Sequence, residues 1–335
     1  MTYSSGGLIQ GTDYNGFVST TSGANLNDIW GTGSGDKGWG QTPVATVSTG
    51  GTVTATQWAS LVNTLSSAGS QTNTTLTSRT APTAGQTISV LSNINTDLTN
   101  VTTNRGNAFG NQNPAATWTG SVSKTTTTGT GNNSWIIIWT QTITWPDANS
   151  ARYFWNAGGT LNITMNKTST GFDSDPDWNN FINNGCYQFI MAGRVNGANQ
   201  TIGGGTFTGF QRTSGATTGT VVTNASTAGW YAIAPGGIAS SIIKVADSNA
   251  PYTGNYVEIF VGKNAGATAL TFTTYWVSTA RTGAGQNTQI SGGTATTAYP
   301  TYGTAPTVQV QWRLPATTYL TNSWGTPTVT SSIGP

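Results

Sequence analysis

The chain has 335 residues, of which 35% are apolar, 10% aromatic and only 7% charged, with 12 Lys and Arg against 10 Asp and Glu. It contains no histidine and one cysteine, and Glu258 is its one glutamate. The usual groups for proton transfer or nucleophilic attack at neutral pH are therefore nearly absent, and the expectation is a protein that is not an enzyme and uses no cofactor. The basic residues are scattered rather than striped, so nucleic acid is not an expected partner. No apolar run approaches the roughly 20 residues of a membrane span, so no membrane insertion is expected. Met1 to Gly7 has neither the basic nor the apolar region of a signal peptide. Lone Cys186 has no partner for an intrachain disulfide. Synthesis in a cytoplasm with release by lysis is the expectation.

Residues 1–80 read as a small helical docking module. Thr12 or Asp13 opens a helix carrying Tyr14, Phe17 and Val18. A glycine-rich loop follows, from Gly31 to Gln41. Thr54 or Thr56 then opens a second helix with Trp58, Leu61, Val62 and Leu65 on one face, ending near Gly69. Residues 81–112 form a connector. Thr83 and Gln86 have capping-box spacing, and Ile88, Leu91, Ile94, Leu98 and Val101 make one narrow apolar stripe. Either three chains share that stripe as a trimeric neck, or the helix lies on its own domain.

Residues 113–335 turn to period two. Trp135 to Trp145, Leu161 to Met165 and Val308 to Leu314 alternate apolar with polar side chains. Further strands are expected at Tyr187–Met191, Thr206–Phe210, Thr218–Val222, Ile242–Ala246, Tyr256–Val261 and Leu270–Val277. One helix, capped by Asp175 and stopped by Gly185, interrupts them. The fold expected is mainly β, an antiparallel, jelly-roll-like β-sandwich behind the helical N-terminal module.

Chemical motifs fail on context. Gly33, Gly35 and Gly38 match a dinucleotide-binding pattern, yet no strand leads in and no acidic residue follows at the required distance. Asp173, Asp175 and Asp177 resemble the start of a calcium loop, but Trp178 and Asn184 stand where glycine and glutamate are needed, and helix capping explains the aspartates without a metal. Cys186 has no histidine to activate it. Glu258 and Asp247 show no glycosidase spacing. Aromatic and amide groups in loop-like stretches, Asn156, Tyr252, Tyr299, Tyr302, Tyr319 and Trp324, are candidates for stacking on a host glycan. Against that stands the plainer use of such rings in a core or a subunit interface.

Two stretches carry a resemblance. The first is Asp13-Tyr14-Asn15, then Trp30 to Gln41 (WGTGSGDKGWGQ), then Val53 to Leu61 (VTATQWASL). The second is Asp147 to Gly159 (DANSARYFWNAGG), with Asp177 to Phe181 (DWNNF) after it. In this order they resemble virion structural proteins of tailed phages, especially those of cyanobacteria. Relatives are often much longer. The resemblance implies a tail, baseplate or fibre component with no catalytic residues, working as a homo-oligomer, with a trimer favoured, beside other virion proteins. Assembly contacts are then expected at Trp30, Lys37, Trp39, Gln41, Trp58, Leu91, Ile94 and Leu98. The alternatives are an adhesin that recognises host glycan and a self-assembling surface-layer or filament protein.

Overall fold

In a computed structural model, the residues described are 10–19, 23–85, 93–108, 120–123, 128–129, 135–166, 179, 188–192, 209–212, 219–223, 229–231, 240–247, 255–278 and 307–334. Helix α1 (Gly11–Val18) buries Tyr14, Phe17 and Val18. Its N-cap is Gln10 rather than Thr12 or Asp13, and Asp13 reaches back to accept the Gln10 N–H at 3.2 Å. A short α2 (Leu26–Trp30), not anticipated, is capped by Asn25, whose side chain accepts the Asp28 N–H at 2.9 Å. Helix α3 (Ala55–Gln71) opens with a capping box. The Thr54 hydroxyl accepts from Gln57 N–H at 3.3 Å, and Gln57 Oε1 accepts from Thr54 N–H at 2.8 Å.

The apolar face expected of α3 is the buried one: Trp58, Leu61, Val62 and Leu65. The helix ends at Gln71, close to the expected end near Gly69. A side chain at Gly69 would overlap Leu76, so this glycine also serves a close approach.

Helix α4 (Ile94–Asn104) settles between the two readings of the apolar stripe for the residues described. Ile94, Leu98 and Val101 are each 1% exposed and belong to the chain's own core, where α4 packs on α1 and α3. A stripe already enclosed by its own chain is not left over for a trimeric neck. Ile88 and Leu91 lie outside the described residues, as does the helix expected from Asp175 to Gly185 except Asn179.

Helix α5 (Ala148–Asn156) was not read from the sequence. Asp147 caps it by accepting the Ser150 N–H at 2.8 Å. That hydrogen bond, against an opposing contribution from burial, holds the Asp147 carboxyl below its ordinary value. A lowered folded-state value means that the cap contributes above the unfolded carboxylate range, about pH 4, and is lost as pH falls through the folded value. Asp147→Ala is therefore expected to cost about 1 kcal/mol at pH 7. The gap between variant and wild type should close in acid, which urea midpoints at pH 7 and near pH 3 would check.

The strands form two antiparallel sheets. One runs β1 (Gly120–Ser123), β12 (Thr307–Arg313), β4 (Thr160–Asn166), β5 (Gln188–Ala192), β6 (Gly209–Arg212), β8 (Gly229–Tyr231). The other runs β13 (Thr328–Gly334), β3 (Trp135–Thr144), β11 (Ala269–Ser278), β10 (Tyr256–Lys263), β9 (Ser240–Asp247), β7 (Gly219–Thr223), with β2 (Thr128–Gly129) also on β3. The architecture is thus mixed, helices together with antiparallel sheet, rather than plainly a β-sandwich. One buried cluster takes residues from Tyr14 to Trp324 and crosses the boundaries drawn from composition at residues 80 and 112.

Period two in the sequence is period two in space. On β3, β11 and β10, Ile137, Trp139, Ile143, Phe272, Trp276, Val257 and Ile259 are buried, with Trp139 and Trp276 edge to face at 5.2 Å. The opposite face carries two zones. Ile136 lies opposite Val277, which lies opposite Tyr256; Ile138 lies opposite Tyr275, which lies opposite Glu258. Phe260 stands edge-on to Tyr275 at 5.3 Å. All of these are half-buried, and burial first, then the charge of Glu258, raises the Tyr256 phenol above its ordinary value. Farther along, the face becomes a hydroxyl array: Thr142 and Thr271 touch at 2.9 Å, and Thr140 and Thr273 are paired beside them.

Candidate functional site

The glycine-rich loop is folded back on itself and then held from two distant parts of the chain. Gly33, Gly35, Gly38 and Gly40 all have positive φ (46°, 59°, 87° and 68°), which only glycine adopts cheaply. The loop closes through Gly40 N–H on the Gly31 carbonyl at 2.8 Å and Gln41 N–H on the Trp30 carbonyl at 3.0 Å. Curled this way, it turns several carbonyls toward one side, and those acceptors must find donors.

Helix α5 supplies them. The Asn156 amide donates to the carbonyls of Lys37 at 2.8 Å, Gly38 at 3.2 Å and Gly35 at 3.3 Å. One turn earlier, the Arg152 guanidinium donates to the carbonyls of Lys37 and Thr32, each at 2.6 Å. Trp39 returns the contact, its indole N–H donating to the Asn156 carbonyl at 3.0 Å. From α3, Gln71 donates to the Ala157 carbonyl at 2.9 Å.

The C-terminal stretch closes the other side. The Gln41 amide donates to the Thr321 carbonyl at 2.9 Å, and its oxygen accepts from the Thr321 N–H at 2.8 Å and hydroxyl at 2.7 Å. The Ser323 hydroxyl donates to the Trp39 carbonyl. Gly40 has no side chain because the Tyr153 ring fills that space.

Three stretches separated by more than a hundred residues thus meet in one clasp made of amide, guanidinium and hydroxyl donors on backbone carbonyls. Its chemistry is that of holding. The clasp contains no nucleophile poised beside a base, and among the described residues no group of three or more His, Cys, Asp or Glu is placed to hold a metal ion. Asp173, Asp175 and Asp177 lie outside the described residues.

Most expected assembly residues have their partners inside the chain. Trp39, Gln41 and Trp58 are 1%, 4% and 0% exposed. Trp58 stacks edge-on against Tyr14 at 5.5 Å. The expectation that the loop presents Trp39 to a neighbouring subunit is corrected by this enclosure: the neighbour is α5 of the same chain. Lys37 pairs with Asp28, and Trp30 is half-buried with its ring 6.1 Å from Trp39. Thr32, Ser34, Gly35 and Asp36 form the exposed rim.

Among the described residues, the glycan candidates are not brought together. Asn156 belongs to the clasp, Trp324 is fully buried, and Tyr319 is exposed at 38%. Tyr252, Tyr299 and Tyr302 lie outside the described residues. Sequence reasoning missed Arg152 and Gly40 as contact positions. Both sit within the two quoted stretches, and the joint occurrence of those stretches was the available signal. Among the described residues, no helix is long and apolar enough to cross a membrane. No protein-family model, no curated protein and no solved structure matches this chain.

Proposed function

We propose that the chain is a non-enzymatic structural part of a tailed-phage virion, of tail, baseplate or fibre type, working as a homo-oligomer beside other virion proteins. The observation that supports this reading most is the clasp. The two stretches that resemble phage virion proteins are about 110 residues apart in sequence, and their motif residues bond to each other through Asn156, Arg152 and Trp39. A shared physical task explains why such motifs would travel together. The two sheets are proposed to face one another as a jelly-roll-like sandwich, since β4 and β3 feed the same buried cluster.

With the α4 stripe enclosed, subunit contacts are proposed on the outer sheet face around Ile138, Tyr275 and Phe260. These half-buried apolar side chains are adjacent on neighbouring strands, and a contiguous apolar patch of that kind favours a protein contact. Substituting Trp39 or Trp58 would test folding, not assembly, because both are core residues. The informative variants are Ile138→Lys and Tyr275→Lys. Light scattering should show an oligomer for the wild type, three times the 34.6 kDa chain mass if trimeric, and a monomer for the variants at a similar melting temperature. Absence of the chain from purified particles of a phage encoding it would sink the virion reading; an unchanged oligomer in both variants would sink the proposed surface.

A further inference from the structure

A cleft of about 300 Å3 opens between α3 and the extended residues 74–79 that fold back along it. Its lining divides by chemistry. Half-buried Leu76 gives an apolar patch backed by the buried Val62 and Leu65, and Ser66 and Ser70 give hydroxyls, with Arg79 also in the lining. The Thr74 hydroxyl is already engaged by Thr72 and by the Asn104 amide. The wall of residues 74–79 is held in place twice. Gly69 leaves room for Leu76 to seat against the helix, and Asp97 of α4 accepts the Thr77 N–H at 3.2 Å while pairing with the Arg79 guanidinium.

That ion pair is unusual for this protein. Its two side chains are each 4% exposed, whereas the Lys37–Asp28 pair is 33% and 25% exposed and the Arg105–Asp36 pair 29% and 52%. Burying two opposite charges costs desolvation that their attraction does not reliably return, so apolar residues would hold α3, α4 and this segment at least as well. In a chain with only 7% charged residues, this buried pair fixes one side of a cleft that also carries the Ser66 and Ser70 hydroxyls.

We propose that this cleft binds a neutral saccharide unit. Its volume lies at the small end of ligand sites, suited to one or two sugar rings. The Leu76 side chain suits the C–H face of a pyranose, and the Ser66 and Ser70 hydroxyls serve as both donors and acceptors for ring hydroxyls. Because Asp97 already neutralises Arg79, neither an anion nor a cation gains a net charge partner there. Walls fixed before binding reduce the ordering cost of taking up a weakly interacting ligand. The proposal is independent of the virion reading, since it concerns one chain and a small molecule.

Saturation-transfer NMR on the full chain, with a panel of neutral methyl hexosides and N-acetylhexosaminides, tests it. At least one glycoside should bind with a Kd of about 1 mM, and Ser66→Trp, at the exposed mouth, should weaken it at least tenfold. Ser70→Leu, which removes a wall hydroxyl and keeps the helix, should do the same, both with an unchanged melting temperature. Failure of the whole panel to bind the wild type would overturn the proposal. So would equal binding by both variants, or tighter binding of a methyl hexuronide tested beside the panel. Displacement of the bound glycoside by an unstructured Ser/Thr-rich peptide at equal concentration would reassign the cleft to a protein segment.

Discussion

Gly38→Ala is expected to cost about 4 kcal/mol and to unlock the loop from residue 31 to 41. Gly38 sits at φ 87°, where any L side chain is strained by about 1–3 kcal/mol. The strain is the smaller part of the loss. A methyl carbon at Gly38 would lie under 3 Å from the Thr32 carbonyl and the Gly33 nitrogen, which are backbone atoms that no rotamer change removes. The clash moves either Thr32, whose carbonyl accepts from Arg152, or Gly38 itself, whose carbonyl accepts from Asn156. Gly35 is the internal control: it has a positive φ of 59° but open space around it. Gly35→Ala should therefore lose only about 1 kcal/mol. Denaturant midpoints at constant m-value give both numbers, and hydrogen exchange at Gly40 and Gln41 should rise sharply in the first variant alone. Equal costs for the two substitutions would mean that conformation, not crowding, governs the loop.

The second large effect is electrostatic. Asn156→Asp exchanges an amide that donates to three carbonyls for a carboxylate that repels them, at a residue only 8% exposed. An uncompensated buried charge costs about 3–5 kcal/mol at pH 7. Asn156→Ala, which leaves acceptors unmet but adds no charge, should cost about 2 kcal/mol. The aspartate variant carries its own signature. Its carboxylate is disfavoured in the folded state, so its folded pKa lies above the unfolded value of about 3.9, and stability returns as pH falls toward that range. The Asp147 cap changes in the opposite direction and at lower pH, below about 4. A chemical-denaturation series from pH 7 to pH 4 that shows no recovery for Asn156→Asp would refute the donor role assigned to the Asn156 side chain.

Elements whose pattern is local were legible in the sequence, and those defined by distant partners were not. Trp58, Leu61, Val62 and Leu65 fall on one helical face whatever the rest of the chain does, and they are the buried face of α3. The alternation of β3 likewise matches its alternating burial from Ile136 to Thr144. Helix α5 escaped notice because Ala148 to Asn156 is nine residues long and rich in aromatics, which also favour strands. Strand β13, with polar residues on both of its faces, has no strong period to find. The clasp was harder still. A tryptophan such as Trp39 reads the same whether a neighbour or its own chain encloses it, and only the position of Asn156, 117 residues away, decides between them. Gly69 shows the same limit: its place near the end of α3 was legible, while its second use as a gap for Leu76 was not.

The bonds between Gln41 and Thr321 join residues 280 positions apart, and that separation has a meaning in time. A ribosome adding about 5–20 residues per second needs roughly 15 to 60 seconds to pass from one to the other. Throughout that interval the nascent chain carries the loop, Trp39 included, without its C-terminal half-clasp. The later stretch is the one that completes the earlier. Interrupted products ending before residue 321 would keep that surface open, so a quality-control protease would find the mark of incompleteness at residues 31–41 rather than at the break.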